Sequence, residues 1–393
     1  MKTNIGVFFG GRSVEHEISI ISAIQAINSF DTDKYSIIPV YVTKKGKWYS
    51  GDALLELANY KNMDSLLQRC TEVYMKPVYG DYNLYSYSSK LFSKNVIATL
   101  DIVFPAFHGT NGEDGVFQGV IETIGIPFVG CNTLSSCNGM DKIFMKMILK
   151  DCGIPVIDCL WFTDIQYKNN KESILVKIEK EISYPVIVKP ANLGSSIGIS
   201  KAENRDELIR GIELASQFVS RIIVERMVVK LKEINCSVLG DCDECEVSVC
   251  EEPVKTDAIL SYKDKYMGGS KSSKGMQSTT RKLPAEIPAS MSEEIQYWAK
   301  ETFRVLSCNG VSRVDFIIDE DTNLVYVNEI NTIPGSLSFY LWEASGCSFR
   351  EMLNKLISLA LKRHRREMLK IGSYDQNIFN MTGGMKTGKI TGK

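Results

Sequence analysis

No stretch of this chain approaches the roughly 20 consecutive apolar residues of a membrane-spanning helix, which excludes a helical membrane protein. Net charge is almost absent: 46 Lys and Arg against 47 Asp and Glu leave −1. That balance argues against a protein built to neutralise a nucleic-acid backbone. The opening MKTNIGVFFGG has a short apolar run but no small-residue cleavage site, and it leads into a Gly-Gly turn. It reads as a β-strand, not a signal peptide. Without a secretion signal, the 11 cysteines are expected as free thiols in a reducing compartment, the cytoplasm. Cys236, Cys242, Cys245 and Cys250 contain a CxxC, but no second tight ligand pair follows at a zinc-like spacing, and CEVSVC fits a plain strand. No internal repeat is present. What remains is ordinary for a globular protein, 44% apolar and 24% charged. Its 393 residues suit two or three packed domains.

The first segment alternates. IGVFFGG reads as a strand, SVEHEISIISAIQAI as a helix and YSIIPVYVT as a strand, and LDIVFPAFHG and IPFVG flank the helical GVFQGVIETIG. Such alternation predicts a mainly parallel sheet covered by helices. Functional groups then gather at the carboxyl ends of strands, which puts Glu15 and His108 in one crevice. A second unit begins near Cys131, with the helical MDKIFMKMILKDCG, the buried strand YPVIVKP and the loop ANLGSSIG. A third begins near Lys230 and contains the long polar SYKDKYMGGSKSSKGMQSTTRKLPAE, of a length typical of lids.

The segment SRVDFIIDEDTNLVYVNEINTIPG carries the most chemistry. Two alternating runs flank DEDTN, so a β-hairpin is predicted. A turn centred on Thr322 sets 315 opposite 329 and 313 opposite 331. Arg313, Asp315, Glu329 and Asn331 then form a polar square. Val314, Phe316, Ile318, Leu324, Tyr326 and Ile330 fall on the other face, with Asn328 as a polar exception. Two carboxylates and an amide oxygen are hard ligands suited to magnesium, and Arg313 suits an oxyanion or phosphate. A solvated face with a cross-strand ion pair is the competing reading. GSSIG, after a strand carrying Lys189, lets backbone N–H groups approach phosphate, although it lacks the GK[ST] of a P-loop. Lys142 and Lys189 add point charges that suit phosphates, or are solvated surface groups. VERM, followed by Glu233, offers a strand end to an adenine and a carboxylate to ribose hydroxyls.

FFGGRSVEHEIS, FHGTNGEDG, the MDK at Met140, VIVKP with GSSIG, YKDKY, SRVDF and NEINTIPG occur in order over residues 5 to 360. Together they resemble the D-alanine–D-alanine ligase family of the ATP-grasp superfamily. The resemblance implies an α/β, three-domain fold. Residues 1–131 form an N-terminal parallel α/β domain, and two α+β domains, 132–228 and 229–372, sandwich ATP. A lid loop spans about 258–284, and 373–393 is a flexible tail. It implies ATP-dependent ligation through a D-alanyl phosphate, for peptidoglycan precursor synthesis in the cytoplasm. The substrates are D-alanine and a second small D-amino acid, and a homodimer is implied, with no nucleic-acid or membrane partner. By position, Asp315, Glu329 and Asn331 resemble ligands of two magnesium (or manganese) ions. Lys142, Lys189 and Lys265 resemble phosphate-binding lysines, and Glu225 and Glu233 the adenine and ribose contacts. Glu15 resembles the residue that binds the first amino group, and Arg313 with the Gly335 N–H the oxyanion hole. Glu15, Ser195 and Tyr266 resemble a latch that holds the lid shut, and His108 a group near the first substrate.

Retention of Lys265–Tyr266 points to an amine nucleophile, since relatives that make D-alanine–D-lactate replace that pair. Two departures stand out. Tyr340, before Leu341, takes the place of a serine that holds the second carboxylate, and an insertion lies between Tyr49 and Asn95. These keep a D-alanine–D-serine ligase open as an alternative. From another class, an inactive nucleotide-binding regulator is opposed by the intact Asp315, Glu329, Asn331, Arg313 and lysine set.

Overall fold

The computed structural model describes residues 2–87, 95–194, 197–253 and 281–373. The first sheet contains β1 (Thr3–Gly10), β2 (Tyr35–Val42), β3 (Trp48–Ser50), β4 (Thr71–Met75), β5 (Asn83–Ser86), β6 (Val96–Thr99) and β7 (Ile102–Pro105). Its strand order is β6-β5-β4-β3-β2-β1-β7. Ile5, Val7, Phe8 and Phe9 are fully buried, as a central strand covered on both faces requires. Only β2, β1 and β7 run parallel; β3 to β6 are antiparallel. The expectation of a mainly parallel sheet is corrected here. The segment after β2 returns through short turns such as 43–47, which are too short for a parallel crossover. The insertion noted in the sequence thus supplies an antiparallel extension.

β1 and β7 end side by side, with Phe8 paired to Pro105. The helix His16–Ser29 follows β1, and His108 follows β7 by three residues. The turn after β1 depends on glycine. Gly10 has φ +92°, and a Cβ there would lie 2.3 Å from the Val42 carbonyl oxygen. Gly10→Ala is therefore expected to cost more than about 1 kcal/mol. Denaturant unfolding checks this; an unchanged midpoint would mean that the strand end relaxes freely.

A second sheet joins β8 (Cys159–Thr163), β9 (Val186–Pro190), β10 (Ser200–Ala202) and β11 (Arg221–Arg226), in the order β10-β9-β11-β8. Next come β12 (Leu231–Gly240), β13 (Cys245–Val247), the short pair β14 (Glu252–Pro253) and β15 (Arg281–Lys282), and the hairpin β16 (Gly310–Asp319) and β17 (Leu324–Asn331). The third sheet has the order β13-β12-β16-β17. All pairings within the second and third sheets are antiparallel.

The second sheet has a core of its own around Phe162, Val188 and Ile222, but two other cores join units. Helix Phe349–Met368 starts with a capping box of Ser348 and Glu351, which satisfies orphan N–H groups. It sets Met352, Leu353, Leu356 and Ile357 into the core that holds Phe9, Ile24 and Phe104 of the first unit. Helix Lys142–Asp151 likewise packs Met145 and Leu149 with Phe303, Phe316 and Val327 of the third unit.

Candidate active site

The hairpin pairs Arg313 with Asn331 and Asp315 with Glu329, so the polar square forms in the register expected. The remainder of β17 differs. A bulge between Asp315 and Phe316 sets Phe316 opposite Val327 and leaves Asn328 as the extra residue. Alternation therefore flips beyond that point. Val325 and Val327, not Leu324 and Tyr326, join Val314, Phe316, Ile318 and Ile330 in the core. Leu324 is exposed, and Tyr326 packs with Ile157, Val228 and Ile317 on the opposite face. The bulge also brings Asn328 to the site.

Arg313 chelates Asp315, Nε to Oδ1 at 2.6 Å and a terminal nitrogen to Oδ2 at 2.7 Å, and Asn331 Nδ2 donates to Oδ2 at 3.0 Å. Burial, with the negative charges of Glu329 and Glu233, pushes the Asp315 carboxyl up against the pull of Arg313. Lys142 Nζ lies 3.3 Å from Glu329 Oε2 and donates to the Leu193 carbonyl at 3.0 Å. Among the described residues, no three His, Cys, Asp or Glu side chains form a ready metal cage. Two carboxylates, an amide oxygen and crowded negative charge instead fit a divalent cation that keeps water or phosphate oxygens as its other ligands. The donor set fits magnesium.

Behind this row lies a buried charge cluster. Glu225, 1% exposed, meets Lys189 Nζ at 2.7 Å and Lys146 Nζ at 3.1 Å. Burial alone would raise the Glu225 carboxyl, but the two ammonium groups hold it at about 2. Burial works against the charge on Lys189 too, yet Glu225 keeps its pKa above the usual lysine value. Asn328 Oδ1 accepts from Lys189 at 3.3 Å. Lys146 escaped the sequence reading, and Asn328 entered it only as a polar exception. Lys146 lies one turn after Lys142 on the same helix, a spacing that was available as a signal. Glu233 sits on β12, paired with Ile317, on the flank of the same row.

The first unit supplies the opposite wall. The Glu15 carboxylate lies against Gly109 and Gly194, whose added Cβ atoms would come within 2.7 and 3.0 Å of its Oε2. His108 Nε2 is 2.7 Å from Ser22 Oγ, and that oxygen accepts the Ser336 N–H at 2.9 Å. Glu113 Oε1 accepts the Ile333 N–H and Oε2 the Gly109 N–H, each at 3.1 Å. The chain on both sides of Gly335 is therefore held by groups from the first unit. Beyond it, Ser336, Leu337 and Ser338 have φ of 51°, 53° and 51°, a left-handed run uncommon for residues with a Cβ. All three are buried. Glu113 and Ser22 were not singled out from sequence, although Glu113 stands within the quoted FHGTNGEDG string. Burial and the nearby Glu15 charge push the Glu113 carboxyl up to about 8.

His108 is buried and tethered to Ser22. Burial, helped by the charge of Arg313, brings it down to about 4 against a hydrogen bond to Ile333. A histidine held below its ordinary 6.5 contributes stability that is complete above that pH and lost as pH falls toward 4. His108→Gln is expected to flatten this part of a melting-temperature profile. An unchanged slope would assign the acid loss elsewhere. His16, by contrast, is buried on Gly11 O at 2.6 Å and the Tyr41 hydroxyl at 3.0 Å.

The Tyr340 hydroxyl donates to Glu251 Oε2 at 2.9 Å, and the Leu341 side chain is fully buried in the core. Ser195, Lys265 and Tyr266 lie outside the described residues, as does most of 258–284. Gly194, which precedes Ser195, does reach the Glu15 carboxylate.

Two family models match the chain: D-ala D-ala ligase N-terminus over residues 4–131 and D-ala D-ala ligase C-terminus over 148–358. The D-alanine–D-alanine ligase of Thermosipho melanesiensis is 40% identical over 381 residues, 97% of this chain and 99% of that protein. That of Caldicellulosiruptor bescii is 40% identical over 371 residues, covering 93% and 97%. Among solved structures, the D-alanine–D-alanine ligase from Coxiella burnetii superposes with a TM-score of 0.77 at 30% identity, covering 93% and 96%. The VanG D-Ala:D-Ser ligase from Enterococcus faecalis gives 0.77 at 32%, covering 92% and 100%. These matches span the chain and agree with the two antiparallel sheets that face the lysine and carboxylate rows; the chain belongs to the D-alanine–D-alanine ligase family, with the ATP-grasp fold.

Proposed function

We propose that this protein joins two D-alanine molecules at the expense of ATP, through a D-alanyl phosphate, in the cytoplasmic synthesis of a peptidoglycan precursor. One observation carries the reading. Lys142 pairs with Glu329 of the Asp315, Glu329 and Asn331 row and Lys189 reaches the adjacent Asn328, while groups of the first unit hold the segment around Gly335.

The carboxylate of the first D-alanine attacks the γ-phosphate, and the amine of the second displaces phosphate from the acyl carbon. Glu15 binds the first ammonium group, with His108 near its carboxylate. Lys142 and Lys189 bind phosphate oxygens, with Lys265 as a third cation. The Glu225 carboxylate is engaged by two lysines, so its adenine contact falls to the backbone, and Glu233 takes the ribose. Two magnesium or manganese ions, when bound, would be held by Asp315, Glu329 and Asn331 and would neutralise charge on the phosphates. Arg313 and the Gly335 N–H face the oxyanion of the tetrahedral intermediate. Glu15, Ser195 and Tyr266 latch the loop 258–284 over the acyl phosphate and keep water out. Domains 132–228 and 229–372 grip the nucleotide, and the enzyme acts as a homodimer.

A D-alanine–D-serine product is the second reading. It is favoured by the engaged Tyr340 hydroxyl and by the likeness to the VanG ligase. Incubation with ATP, magnesium, D-alanine and equimolar D-serine, followed by mass analysis, separates the two. D-alanyl-D-alanine is expected to dominate; a dominant mixed dipeptide would replace the first reading. Absence of ADP release with every small D-amino acid would support an inactive nucleotide-binding regulator.

A further inference from the structure

Cys236 and Cys250 have no place in the proposed reaction, yet they face each other across two strands. Asn235 and Glu251 form an antiparallel bridge and exchange both backbone hydrogen bonds, at 2.8 and 2.9 Å. The next facing residues, Cys236 and Cys250, are then a non-hydrogen-bonded pair, the closer kind, with α-carbons about 4.5 Å apart. A disulfide spans roughly 4.4–6.8 Å between α-carbons, so the pair needs little movement to join. The Asn235 and Glu251 side chains meet on one face of the strands, Nδ2 to Oε2 at 3.3 Å. Alternation puts both sulfurs on the other face, in the core with Ile295 and Phe303. Cys236 is fully buried, Cys250 is 3% exposed, and both are free thiols.

The two thiols are unequal. A hydrogen bond from the Cys236 thiol draws Cys250 down, while that bond and burial push Cys236 up. Ser292 Oγ also donates to Cys250 Sγ at 3.5 Å, which favours the thiolate. Cys250 is thus the attacking sulfur and Cys236 the resolving one. We propose that Cys250 and Cys236 form a reversible disulfide, with a hydroperoxide as the oxidant. The Cys250 thiolate attacks one peroxide oxygen, the O–O bond breaks, and the released hydroxide takes a proton to leave as water. Cys250 is then a sulfenic acid. The Cys236 sulfur attacks it; the S–S bond forms, the S–O bond breaks, and the Cys236 proton leaves with the hydroxyl as a second water. Two electrons pass from the two thiols to one peroxide, and a thiol reductant restores the pair. The link fastens the segment of Glu251, which receives the Tyr340 hydroxyl, to β12, whose Asn235 pairs with Asp315.

Hydrogen peroxide, small enough to reach a buried pair through local opening, tests this on the full-length protein. Alkylation and non-reducing peptide mapping follow. The peptides of Cys236 and Cys250 are expected to be linked, with the loss of two hydrogens, and dithiothreitol is expected to separate them. The oxidised protein is expected to melt about 5 °C above the reduced one, since the link closes a short loop. Cys236→Ser is expected to leave Cys250 as a sulfenic acid that dimedone traps, whereas Cys250→Ser leaves Cys236 unlabelled. If either variant does not fold, mapping of the wild type still decides. A hydrogen bond also joins the Cys131 and Cys308 thiols, so the position of the link matters. A link at Cys131–Cys308 alone would overturn the proposal. So would its absence at a peroxide dose that oxidises the exposed Cys137, Cys152 and Cys242.

Discussion

Glu329→Gln is expected to lower kcat about a thousandfold while leaving the melting temperature within a few degrees of wild type. The reasoning starts from volume and charge. Glutamine keeps the shape of the side chain, and Glu329 is about a third exposed, so the fold loses little. The apolar face of the hairpin, Val325, Val327 and Ile330, is untouched. What disappears is an anionic hard donor opposite Asp315 and the 3.3 Å partner of Lys142. An amide holds magnesium more weakly, so the metal concentration needed for residual turnover should also rise. Steady-state kinetics across a magnesium series read both effects. Wild-type turnover at ordinary magnesium would remove Glu329 from the metal set.

Glu225→Ala is expected to have the largest effect on stability, about 3–5 kcal/mol. Glu225 holds Lys189 and Lys146 at 2.7 and 3.1 Å in a site where all three groups are buried. Removing the anion leaves two ammonium groups without their shared counter-charge in a medium that solvates them poorly. Lys146→Met in the same background should recover much of the loss, since one stranded charge is then gone. Equilibrium denaturation measures both variants; a change below about 1 kcal/mol would show that water or backbone oxygens compensate. The sign with pH follows from the carboxyl being held at about 2 against an ordinary 4.5. Its stabilisation is complete above about pH 4.5 and lost as pH falls toward 2. The cluster holds two cations to one anion. In the proposed function that surplus serves the phosphate that Lys189 binds.

The legible parts of the site were those set by strand parity and by matching strings. Arg313, Asp315, Glu329 and Asn331 share a face because residues two apart in a strand must, and their two cross-strand pairings are those expected. Parity failed one residue later. An inserted residue in a ladder leaves no mark in an alternating pattern, so Leu324 and Tyr326 were placed on the wrong face and Asn328 was set aside. Lys146 was hidden for a different reason. A lysine inside a helix reads as solvated until the tertiary structure buries it against Glu225. The hold on Gly335 by Ser22 and Glu113 joins residues more than 200 positions apart, which no local pattern encodes. The antiparallel extension β3 to β6 was foreshadowed only as an unusual insertion, because short strands in polar sequence lack a clear period. The surroundings of Tyr340 were not legible either. Sequence offered a hydroxyl for the substrate, and the structure spends that hydroxyl on Glu251.

The central claim is that the carboxylate of the first D-alanine is activated as an acyl phosphate before the bond to the second is made. D-alanine labelled with oxygen-18 in its carboxyl group tests this most directly. When the second amine displaces phosphate, the bridging oxygen leaves with the phosphorus, so inorganic phosphate should carry one labelled oxygen for each ADP formed. Mass analysis of the phosphate reads the result. Dipeptide formed in step with ADP, but with unlabelled phosphate, would contradict the account.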